Sequence, residues 1–566
     1  MNEWMVIDIE TSGVNKYTCD LRLMEQLVFD TDRPYEEGAQ VVGAKDLERR
    51  LLSKIPKVFH NASFDVFVLR RLGFKVNGPI HDTYLMAKHV CNTLPGFDLK
   101  SLSWWYFGDT YHELAAIEAW EREHGLPHGD MTKVPSDMVR RYCAVDVTNT
   151  VQLVWKFWPE LKDNAAYDID RQCLEAVLDR DTRGMCVDKK FLQEFIRLGS
   201  RRIRDNKRMA RRLLGTSKSP TGNVLRDHLT VLGEMERTKT GKVRADKVAL
   251  RRWKKDAAVR AVGRLRSDEK LVKTYATNLF EAADKKGIVF PQLIQSGAIT
   301  RRFRAKNFYC RDGRILKGNI QNVPDEMRHA FVARPGYVFG VMDLASIEAR
   351  VCAAVMEGLI GDSRFAELYR RHDNFNMYLH VMEVCAGEKN PTKKHPLYTP
   401  YKHGTLAKLY GESERSFVKQ LQDKFALPYT EKELVDIYRS IDQKFPVITV
   451  TQRSLSEHIV KQGYLTDHFG DKVFVPREEA YKAVAYYCQE CAGNVLKWWW
   501  VEVHRALRCG DMVVNSVHDE LDLELTTRGA KARLREYADL TRKLDIFDLP
   551  IVAEVKGPAR SWGECS

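Results

Sequence analysis

An apolar strand near the start of the chain carries two carboxylates on one face. In the run Met5–Thr11 (MVIDIET) side chains alternate with a period of two, so Asp8 and Glu10 share a face with Val6 while the isoleucines point the other way. Burying two acids on such a strand costs free energy unless a partner compensates their charge. A divalent cation that prefers oxygen ligands is such a partner. The strand therefore predicts a metal site. The mixture of short β-branched runs and helical stretches over residues 1 to about 165 predicts a layered α/β fold around it.

Two later segments add residues that suit the same site. Asp65 follows a short strand and the turn His60–Phe64 and opens a helix, while Tyr142 and Asp146 lie four residues apart on one helical face. Taken singly, each acid is explained more simply as a strand end, a helix cap or a surface residue. Taken together, four carboxylates and a tyrosine suit phosphodiester hydrolysis, in which two metal ions about 3.5–4 Å apart activate a water molecule.

In this order and spacing, these residues resemble the DEDD-type 3′–5′ exonucleases of the tyrosine subclass, over about residues 1–165. The resemblance implies a ribonuclease H-like domain. It implies Tyr142 as the residue that orients the attacking water. It also implies four metal ligands, which are Asp8, Glu10, Asp65 and Asp146.

Positive charge is concentrated in one segment. The chain has a net charge of +13, but residues 196–275 contain 24 Lys and Arg against 8 Asp and Glu, so this segment carries +16 and the remainder −3. Acids are too few there for ion pairs within helices to account for the basic residues. We therefore favour contact with the phosphates of a nucleic acid over the alternative of a solvated charged face.

Two acids mark the last region of the chain. The apolar strand Val338–Asp343 ends in a carboxylate and leads into a helix, and Met512–Leu525 is predicted to form two strands around a tight turn at His518 and Asp519. This turn would hold Asp519 at a sheet edge, where it could meet Asp343. Two acids and two Mg²⁺ ions are what nucleotidyl transfer requires, although either acid alone is more often structural.

Between these acids lies a predicted helix with regularly spaced functional side chains. Lys402, Leu406 and Tyr410 follow the spacing i, i+4, i+8 along one side, and Gly411 is predicted to end the helix. A lysine on that side can bind a triphosphate, and a tyrosine can stack on a base. The alternative is an ordinary amphipathic helix whose lysine stems cover apolar surface.

These segments, in this order, resemble motifs A, B and C of the family A DNA polymerases, the group of bacterial polymerase I and many phage replicases. Further segments resemble the same family: Lys273–Tyr275, Thr300–Phe303, Gly318–Pro324 and Ala485–Gln489. The likeness covers nearly the whole chain and implies a multidomain α/β and α+β fold. It implies an exonuclease domain at 1–165, a basic helical thumb region at 166–290, and the palm and fingers of a right-hand polymerase at 291–566, with fingers at about 360–480. The family's separate 5′-nuclease domain would precede Met1 and is expected to be absent.

The resemblance implies a role for each matching residue. The two catalytic metal ions would be held by Asp343 and Asp519, with help from the Leu344 carbonyl. The incoming deoxynucleotide would be contacted by Glu348, Lys402, Leu406 and Tyr410, with Glu348 excluding a ribose 2′-hydroxyl. The DNA would be contacted by Lys273, Arg302, Gln489 and His518.

The nucleotide pocket departs from the family pattern. An arginine expected four residues before the motif B lysine is replaced by Tyr398, and an aromatic residue expected four residues after it is replaced by Leu406. Two polar positions before Gln489 are occupied by Tyr481 and Ala485. Either one triphosphate contact is therefore missing, or it comes from Lys394, His395 or His403. We hypothesise that these changes alter which nucleotides the pocket tolerates.

The sequence thus predicts a template-dependent DNA polymerase with 3′–5′ proofreading, of the compact phage replicase type. We expect it to act as a monomer on primer-template DNA and dNTPs, with two Mg²⁺ ions (or Mn²⁺) per active site; no processivity factor is assigned. One alternative is a 3′–5′ exonuclease with a degenerate polymerase domain. Another is a DNA-binding replication accessory protein that uses the basic segment.

Other classes fit the sequence poorly. The acidic start of the chain has no signal-peptide pattern, no 18-residue apolar window predicts a membrane span, and twelve scattered cysteines suit a reducing compartment. We therefore expect a cytoplasmic protein, in the host cytoplasm if a phage encodes it. Cys488 and Cys491 have metal-like spacing but lack a second pair, so neighbouring positions on a helix are the simpler interpretation.

Overall fold

The computed structural model of the chain describes residues 3–31, 40–41, 44–126, 131–233, 236–238, 240–425, 427–508, 510–545 and 547–565. Within these ranges the strands form four β-sheets, of which one lies in the N-terminal part of the chain. None of the helices in the described ranges combines the length and apolar character that a membrane crossing requires.

The N-terminal sheet has the strand order β3-β2-β1-β4-β5. Its strands are β1 (Glu3–Thr11), β2 (Leu21–Asp30), β3 (Gln40–Val41), β4 (Lys57–Phe59) and β5 (Ile80–Asp82). The central strand β1 pairs antiparallel with β2 and parallel with β4. Its side chains alternate as the sequence predicts, because Trp4 and Val6 enter one apolar core and Met5, Ile7 and Ile9 enter another.

Seven helices surround this sheet. They are α1 (Ala44–Leu52), α2 (Ala62–Arg71), α3 (Thr83–Val90), α4 (Leu99–Phe107), α5 (His112–Glu123), α6 (Ser136–Leu161) and α7 (Ala165–Arg183). The long helix α6 packs against β1 and β2. Tyr142 and Asp146 lie on the same buried stripe as Val139 and Val147, at helical spacing. The packing that buries the valines therefore also turns the phenol and the carboxylate toward the sheet.

The basic segment folds into helices after a short strand β6 (Met185–Cys186). These helices are α8 (Lys189–Leu213), α9 (Asn223–Leu232), α10 (Lys247–Arg252), α11 (Ala257–Glu269) and α12 (Asn278–Ala282), with a π-helical stretch at Lys270–Thr277. Small residues let α8 approach its neighbours closely, since a Cβ added to Gly199 would come within 2.3 Å of Val272. The segment has its own small core, and most arginines of α8 face solvent.

Two further sheets form the base of the last region. One has the order β6-β7-β8-β9, with β7 (Ile288–Ile294), β8 (Arg304–Tyr309) and β9 (Ile315–Lys317). The other has the order β13-β14-β10-β15, with β10 (Tyr337–Leu344), β13 (Met512–Val517), β14 (Glu520–Thr526) and β15 (Ala553–Ala559). His518 adopts a φ of 55° in the tight turn between β13 and β14, as the sequence predicts. The register pairs Asp343 with Glu520 and so places Asp519 beside the end of β10.

The remaining elements are helical apart from a hairpin, β11 (Tyr464–Thr466) and β12 (Lys472–Phe474). The helices are α13 (Asp325–Arg328), α14 (Ile347–Val355), α15 (Arg364–Arg371), α16 (Met377–Ala386), α17 (Tyr398–Leu409), α18 (Glu414–Lys419), α19 (Glu431–Lys444), α20 (Pro446–Gln462), α21 (Ala483–Ala506) and α22 (Ala530–Asp539). The helix α21 packs against α7 and α14 and buries Trp499 and Trp500. Cys488 and Cys491 both lie buried on α21.

A buried ionic network joins the N-terminal sheet domain to the last region. His89 of α3 lies 2.6 Å from Asp471 and 3.0 Å from Asp170 of α7. Lys497 of α21 lies 3.0 Å from the same Asp170 carboxylate. Arg301 contacts Asp471 at 2.8 Å and pairs with Glu490. The charged side chains are fully or almost fully removed from solvent, so each depends on its partners. We refer to these six residues as the junction network.

We predict that Lys497→Met destabilises the protein by about 3–5 kcal/mol, because it removes one of the two cationic partners of the buried Asp170 carboxylate and leaves only His89. Burial alone raises the pKa of Asp170, but Lys497 and His89 hold it well below its ordinary value. The matched control is Lys472→Met, which removes an exposed pair with Glu160 and should cost at most about 1 kcal/mol.

Calorimetric unfolding of the two variants and the parent chain measures the difference. Equal unfolding temperatures for the two variants would show that Lys497 does not compensate Asp170.

Candidate active sites

Three elements bring the N-terminal acids together. Asp8 and Glu10 lie on β1, Asp65 lies in the first turn of α2, and Asp146 lies on α6. Each carboxylate is close enough to influence the others: burial first, and then the charges of Asp146, Glu10 and Asp65, raise the pKa of Asp8. The four acids that the sequence singles out therefore form one cluster.

The cluster is electrostatically unfavourable without a cation. Burial, followed by the charges of Asp146 and Asp65, raises the pKa of Glu10 to about 8. Burial raises the pKa of Asp146 to about 6, although contacts with the Tyr142 and Tyr111 hydroxyls and the charge of Lys100 oppose that rise. At neutral pH the cluster cannot carry all of its negative charges at ordinary cost.

The donor set fits a divalent metal ion. Oδ1 of Asp146 is buried and finds no hydrogen-bond partner among the described residues. Carboxylate oxygens of Asp8 and Glu10 and the sulfur of Cys143 lie within 4.8 Å of one another, so they converge on one space. Hard divalent ions prefer such oxygen ligands and would compensate their charge.

Three neighbours of this cluster escaped the sequence analysis. The Cys143 thiol donates to Oδ2 of Asp8 at 3.1 Å. The Lys100 ammonium lies 5.3 Å from the centre of the Tyr142 ring. Tyr111 lies 6.5 Å from Tyr142, ring centre to ring centre, and adopts a φ of 50°, which is uncommon for a bulky residue. Cys143 follows Tyr142 on α6 and could have been noted, but Lys100 and Tyr111 reach the cluster only through the tertiary fold.

The second group of acids lies where β10, α14 and the β13–β14 turn meet. Asp343 is the second-last residue of β10. Burial, followed by the charge of Glu520, raises its pKa to about 6, with Lys556 opposing. The charge of Asp519 contributes to the same rise, so the two acids lie within electrostatic range. The backbone N–H of Leu344 donates to the Asp519 carbonyl at 3.1 Å, which fixes the turn against the strand end.

Arg302 connects this turn to α14. Its Nη2 donates to Oε1 of Glu348 at 2.7 Å and to Oδ1 of Asp519 at 3.1 Å. The Tyr410 hydroxyl donates to the other oxygen of Glu348. The structure therefore brings together Arg302, Glu348, Tyr410 and Asp519, which come from four separate parts of the sequence.

The helix α17 forms where the sequence predicts it, so Lys402, Leu406 and Tyr410 follow one another along one side of it. Lys402, Leu406 and Tyr410 are all half-buried, and the Lys402 ammonium lies 5.8 Å from the centre of the Tyr378 ring. Gly411 follows the helix with a φ of 69°, and a Cβ there would lie 2.5 Å from the Tyr481 carbonyl oxygen. Glycine is required at this position both by the backbone conformation and by the close approach.

The remaining predicted residues lie at three other places. Gln489 is half-buried on α21, and His518 is exposed at the β13–β14 turn. Lys273 is exposed on the π-helical stretch of the basic segment, where its ammonium lies 3.0 Å from Glu269. Lys273 thus belongs to the basic helices, whereas Gln489 and His518 lie on elements that carry or adjoin the second acidic group.

Comparison with known proteins identifies the class. The family model for DNA polymerase family A matches residues 189–564, and the model for the 3′–5′ exonuclease matches residues 4–162. The chain belongs to DNA polymerase family A and carries a 3′–5′ exonuclease domain before its polymerase domain.

Individual relatives agree with this assignment. The chain is similar to DNA polymerase I of Chloroflexus aurantiacus, with 26% identity over 90% of this chain and 55% of the relative, so it spans about half the length of that bacterial protein. It is similar to the DNA polymerase of Mycobacterium phage D29, with 23% identity over 99% of this chain and 93% of the relative. Its fold is similar to the POL domain of Pol1 from M. smegmatis, solved with DNA primer-template and dNTP, with a TM-score of 0.77, 17% identity, and coverage of 100% of this chain and 96% of that one.

These matches confirm the predicted family and the mixed, multidomain fold with an N-terminal exonuclease. They favour a polymerase with an exonuclease over both alternatives from the sequence. The domain boundaries and the individual roles of the residues stay predictions.

We predict that the metal-free protein loses stability as the pH rises from about 4, where the carboxyls of the unfolded chain ionise, to about 8. Glu10 and Asp146 have raised pKa values in the folded chain, so protonation favours the folded form and this contribution is lost as the pH rises through about 6 and about 8. In EDTA, the unfolding temperature should fall by several degrees over this range.

Two controls accompany this measurement. Excess Mg²⁺ or Mn²⁺ should remove most of the fall, and Glu10→Gln should flatten the upper part of the profile in EDTA. An unfolding temperature that rises with pH in EDTA would contradict the prediction.

Proposed function

We propose that the chain is a template-dependent DNA polymerase of the phage replicase type that edits its product with its own 3′–5′ exonuclease. The observation that carries the proposal is the presence of two separate acidic centres in one chain, one on β1, α2 and α6 and one at the end of β10. The family match and the phage relative that covers 99% of this chain support it. We infer that it acts as a monomer, with functional boundaries near residues 165 and 290.

The acids of each centre would hold two divalent ions. In the polymerase centre these ligands are Asp343, Asp519 and the Leu344 carbonyl. When bound, Mg²⁺ or Mn²⁺ ions would activate the attacking oxygen and neutralise charge on the leaving oxygen. Polymerisation is then an in-line attack of the primer 3′-hydroxyl on the α-phosphate of a dNTP, with pyrophosphate leaving.

The chain's own residues prepare the nucleotide pocket. Tyr410 holds Glu348 by a hydrogen bond, and Arg302 holds its other oxygen, so the carboxylate is fixed from two sides. A fixed carboxylate in this place would leave no room for a ribose 2′-hydroxyl. Lys402, on the same side of α17 as Tyr410, would contact the triphosphate.

In the exonuclease centre, Tyr142 would orient a water molecule without removing its proton. Burial, followed by the charges of Asp146 and Glu10, raises the pKa of Tyr142 far above neutrality, so the phenol keeps its hydrogen. The ligands there would be Asp8, Glu10, Asp65 and Asp146. The water would attack the last phosphodiester and release a nucleotide from the primer 3′ end.

The basic segment would hold the DNA duplex through its phosphates. Among the described residues that line a groove of about 490 Å³ between α10 and α11, none is acidic. Its basic side chains are Lys247, Arg251, Lys254, Arg260, Arg266 and Lys270. Contacts of this kind are independent of sequence and sensitive to salt.

We predict that the two activities can be separated by single substitutions. Asp519→Asn should lower primer extension by more than about 100-fold, because loss of a metal ligand should exceed the 10–100-fold cost of losing an outer partner. The same variant should degrade a single-stranded primer at the parental rate. Asp8→Asn should lose primer degradation and extend the primer at the parental rate. Gel assays on one labelled primer-template, with and without dNTPs, measure both activities, and loss of both in a variant that unfolds at the parental temperature would contradict the two-centre proposal.

We predict that the double variant Arg251→Ala/Lys254→Ala binds primer-template DNA with a weaker salt dependence. Loss of two phosphate contacts should reduce the slope of log K against log [salt] by about 1.8, since each contact contributes about 0.9. Fluorescence anisotropy in EDTA measures the slope without degradation. The control is Lys54→Ala/Lys75→Ala, which removes two exposed lysines of the N-terminal region. A parental slope for the thumb variant would refute the role of this groove.

A further inference from the structure

The short helix α4 exposes aromatic side chains beside the exonuclease centre. Trp104 is 60% exposed, Trp105 is 52% exposed and Phe107 is 39% exposed. All eleven tryptophans of the chain lie in the described ranges, and the other nine are buried or half-buried. Clustered exposed aromatic surface is costly in water and marks a place where something binds.

The two tryptophans line a groove beside the exonuclease centre. The groove has a volume of about 670 Å³, and Lys100 and Tyr111 belong to its lining. The same Lys100 lies 5.3 Å from the Tyr142 ring, and the Tyr111 hydroxyl contacts Asp146. A ligand in the groove would therefore end at the carboxylates that are proposed to cut DNA.

The helix that carries the tryptophans is held firmly. Asp98 caps its start by accepting a hydrogen bond from the Ser101 backbone at 3.0 Å, and Gly108 ends it in a left-handed conformation. Leu99 and Leu102 are buried beneath it. The aromatic rings are thus presented on a fixed support, which reduces the entropy lost on binding.

The ring geometry suits consecutive bases. The centres of Trp104 and Trp105 are 6.3 Å apart and their planes are inclined by 56°, so the rings do not stack on each other and each keeps a face free. Stacking on aromatic side chains is tolerant of sequence, because every base has a π-face. In a duplex those faces are covered by neighbouring bases, so only an unpaired strand can use both rings.

The groove lining carries two acids, each with a polar or charged partner. Asp109 accepts a hydrogen bond from Asn149 at 2.5 Å, and Glu118 lies 4.0 Å from Arg122. Lys100 supplies positive charge at the end nearest the cutting site. The groove therefore combines aromatic stacking with a cation where the backbone would arrive.

We propose that Trp104 and Trp105 form a stacking platform for the unpaired primer nucleotides that lie on the 5′ side of the last two nucleotides, beyond the phosphodiester that is cut. The platform rests on the proposed exonuclease function and adds a positioning element that selects frayed, single-stranded 3′ ends. It holds the strand while the carboxylates act on its last phosphodiester. The tryptophans position the substrate and take no part in the chemical step.

The test compares substrates of two lengths. Loss of stacking is worth about 1–3 kcal/mol per base, so Trp104→Ala/Trp105→Ala should raise KM for a single-stranded octanucleotide by at least about 5-fold and leave kcat nearly unchanged. A dinucleotide is too short to reach the platform and should be cut by the variant at the parental rate. Trp104→Phe/Trp105→Phe retains the aromatic faces and should restore most of the octanucleotide affinity.

Two results would overturn the platform. An equal loss on the dinucleotide and the octanucleotide would mean that the tryptophans support the fold of the centre. No change on either substrate would mean that they serve another partner, such as a protein. If the parent chain cuts neither substrate, the proposed exonuclease function is wrong.

The platform can still be tested in that case by measuring the affinity of the parent and of the alanine variant for the octanucleotide, by fluorescence anisotropy in EDTA. Equal affinities would overturn the platform.

Discussion

The buried junction network is the constraint on which the relation between the two acidic centres depends. His89 belongs to the helix that follows β5, Asp170 to the helix that leaves the N-terminal domain, and Lys497 to the long helix α21. Charges removed from solvent cannot separate from their partners without a cost of several kcal/mol. The exonuclease domain is therefore fixed against α21, whose other side packs on α14 and so on the element that carries Glu348.

The two centres balance negative charge in different ways. In the N-terminal cluster, burial and mutual repulsion raise the pKa of Asp8, Glu10, Asp65 and Asp146, and Lys100 opposes only part of this rise. In the second acidic group, the Arg302 guanidinium bridges Glu348 and Asp519 and opposes the rise in the pKa of Asp519 that burial causes. A bound cation would therefore stabilise the N-terminal cluster more than the second group. In the second group, Arg302 already compensates part of the negative charge and fixes the positions of the two carboxylates.

Most of the structural features that the sequence predicted follow from the periodicity of residues that are close together in the chain. The alternation along β1, the shared face of Tyr142 and Asp146, and the turn at His518 all follow from the spacing of residues close in the chain. The contacts that were missed join distant residues: His89 and Asp471 are 382 positions apart, and Tyr111 reaches Asp146 through a left-handed backbone conformation. A periodic pattern contains no information about such pairings, because the tertiary fold alone sets them. The family match supplies the class, while the roles of Lys402, Gln489 and Lys273 rest on motif position.

Two residues of α17, Tyr398 and Leu406, depart from the family pattern of the nucleotide pocket. Tyr398, at the position of the expected arginine, is half-buried, and burial raises its pKa while a contact with Asn376 lowers it. It contributes no positive charge. Of the two lysines on α17, Lys408 is already engaged by Asp442 and packs on the ring of Tyr438, which leaves Lys402 on the side that faces the proposed pocket. A triphosphate held by fewer fixed cations depends more on Lys402 and on the metal ions. The altered nucleotide tolerance hypothesised from the sequence would therefore depend on the missing charge as well as on the shape of Leu406.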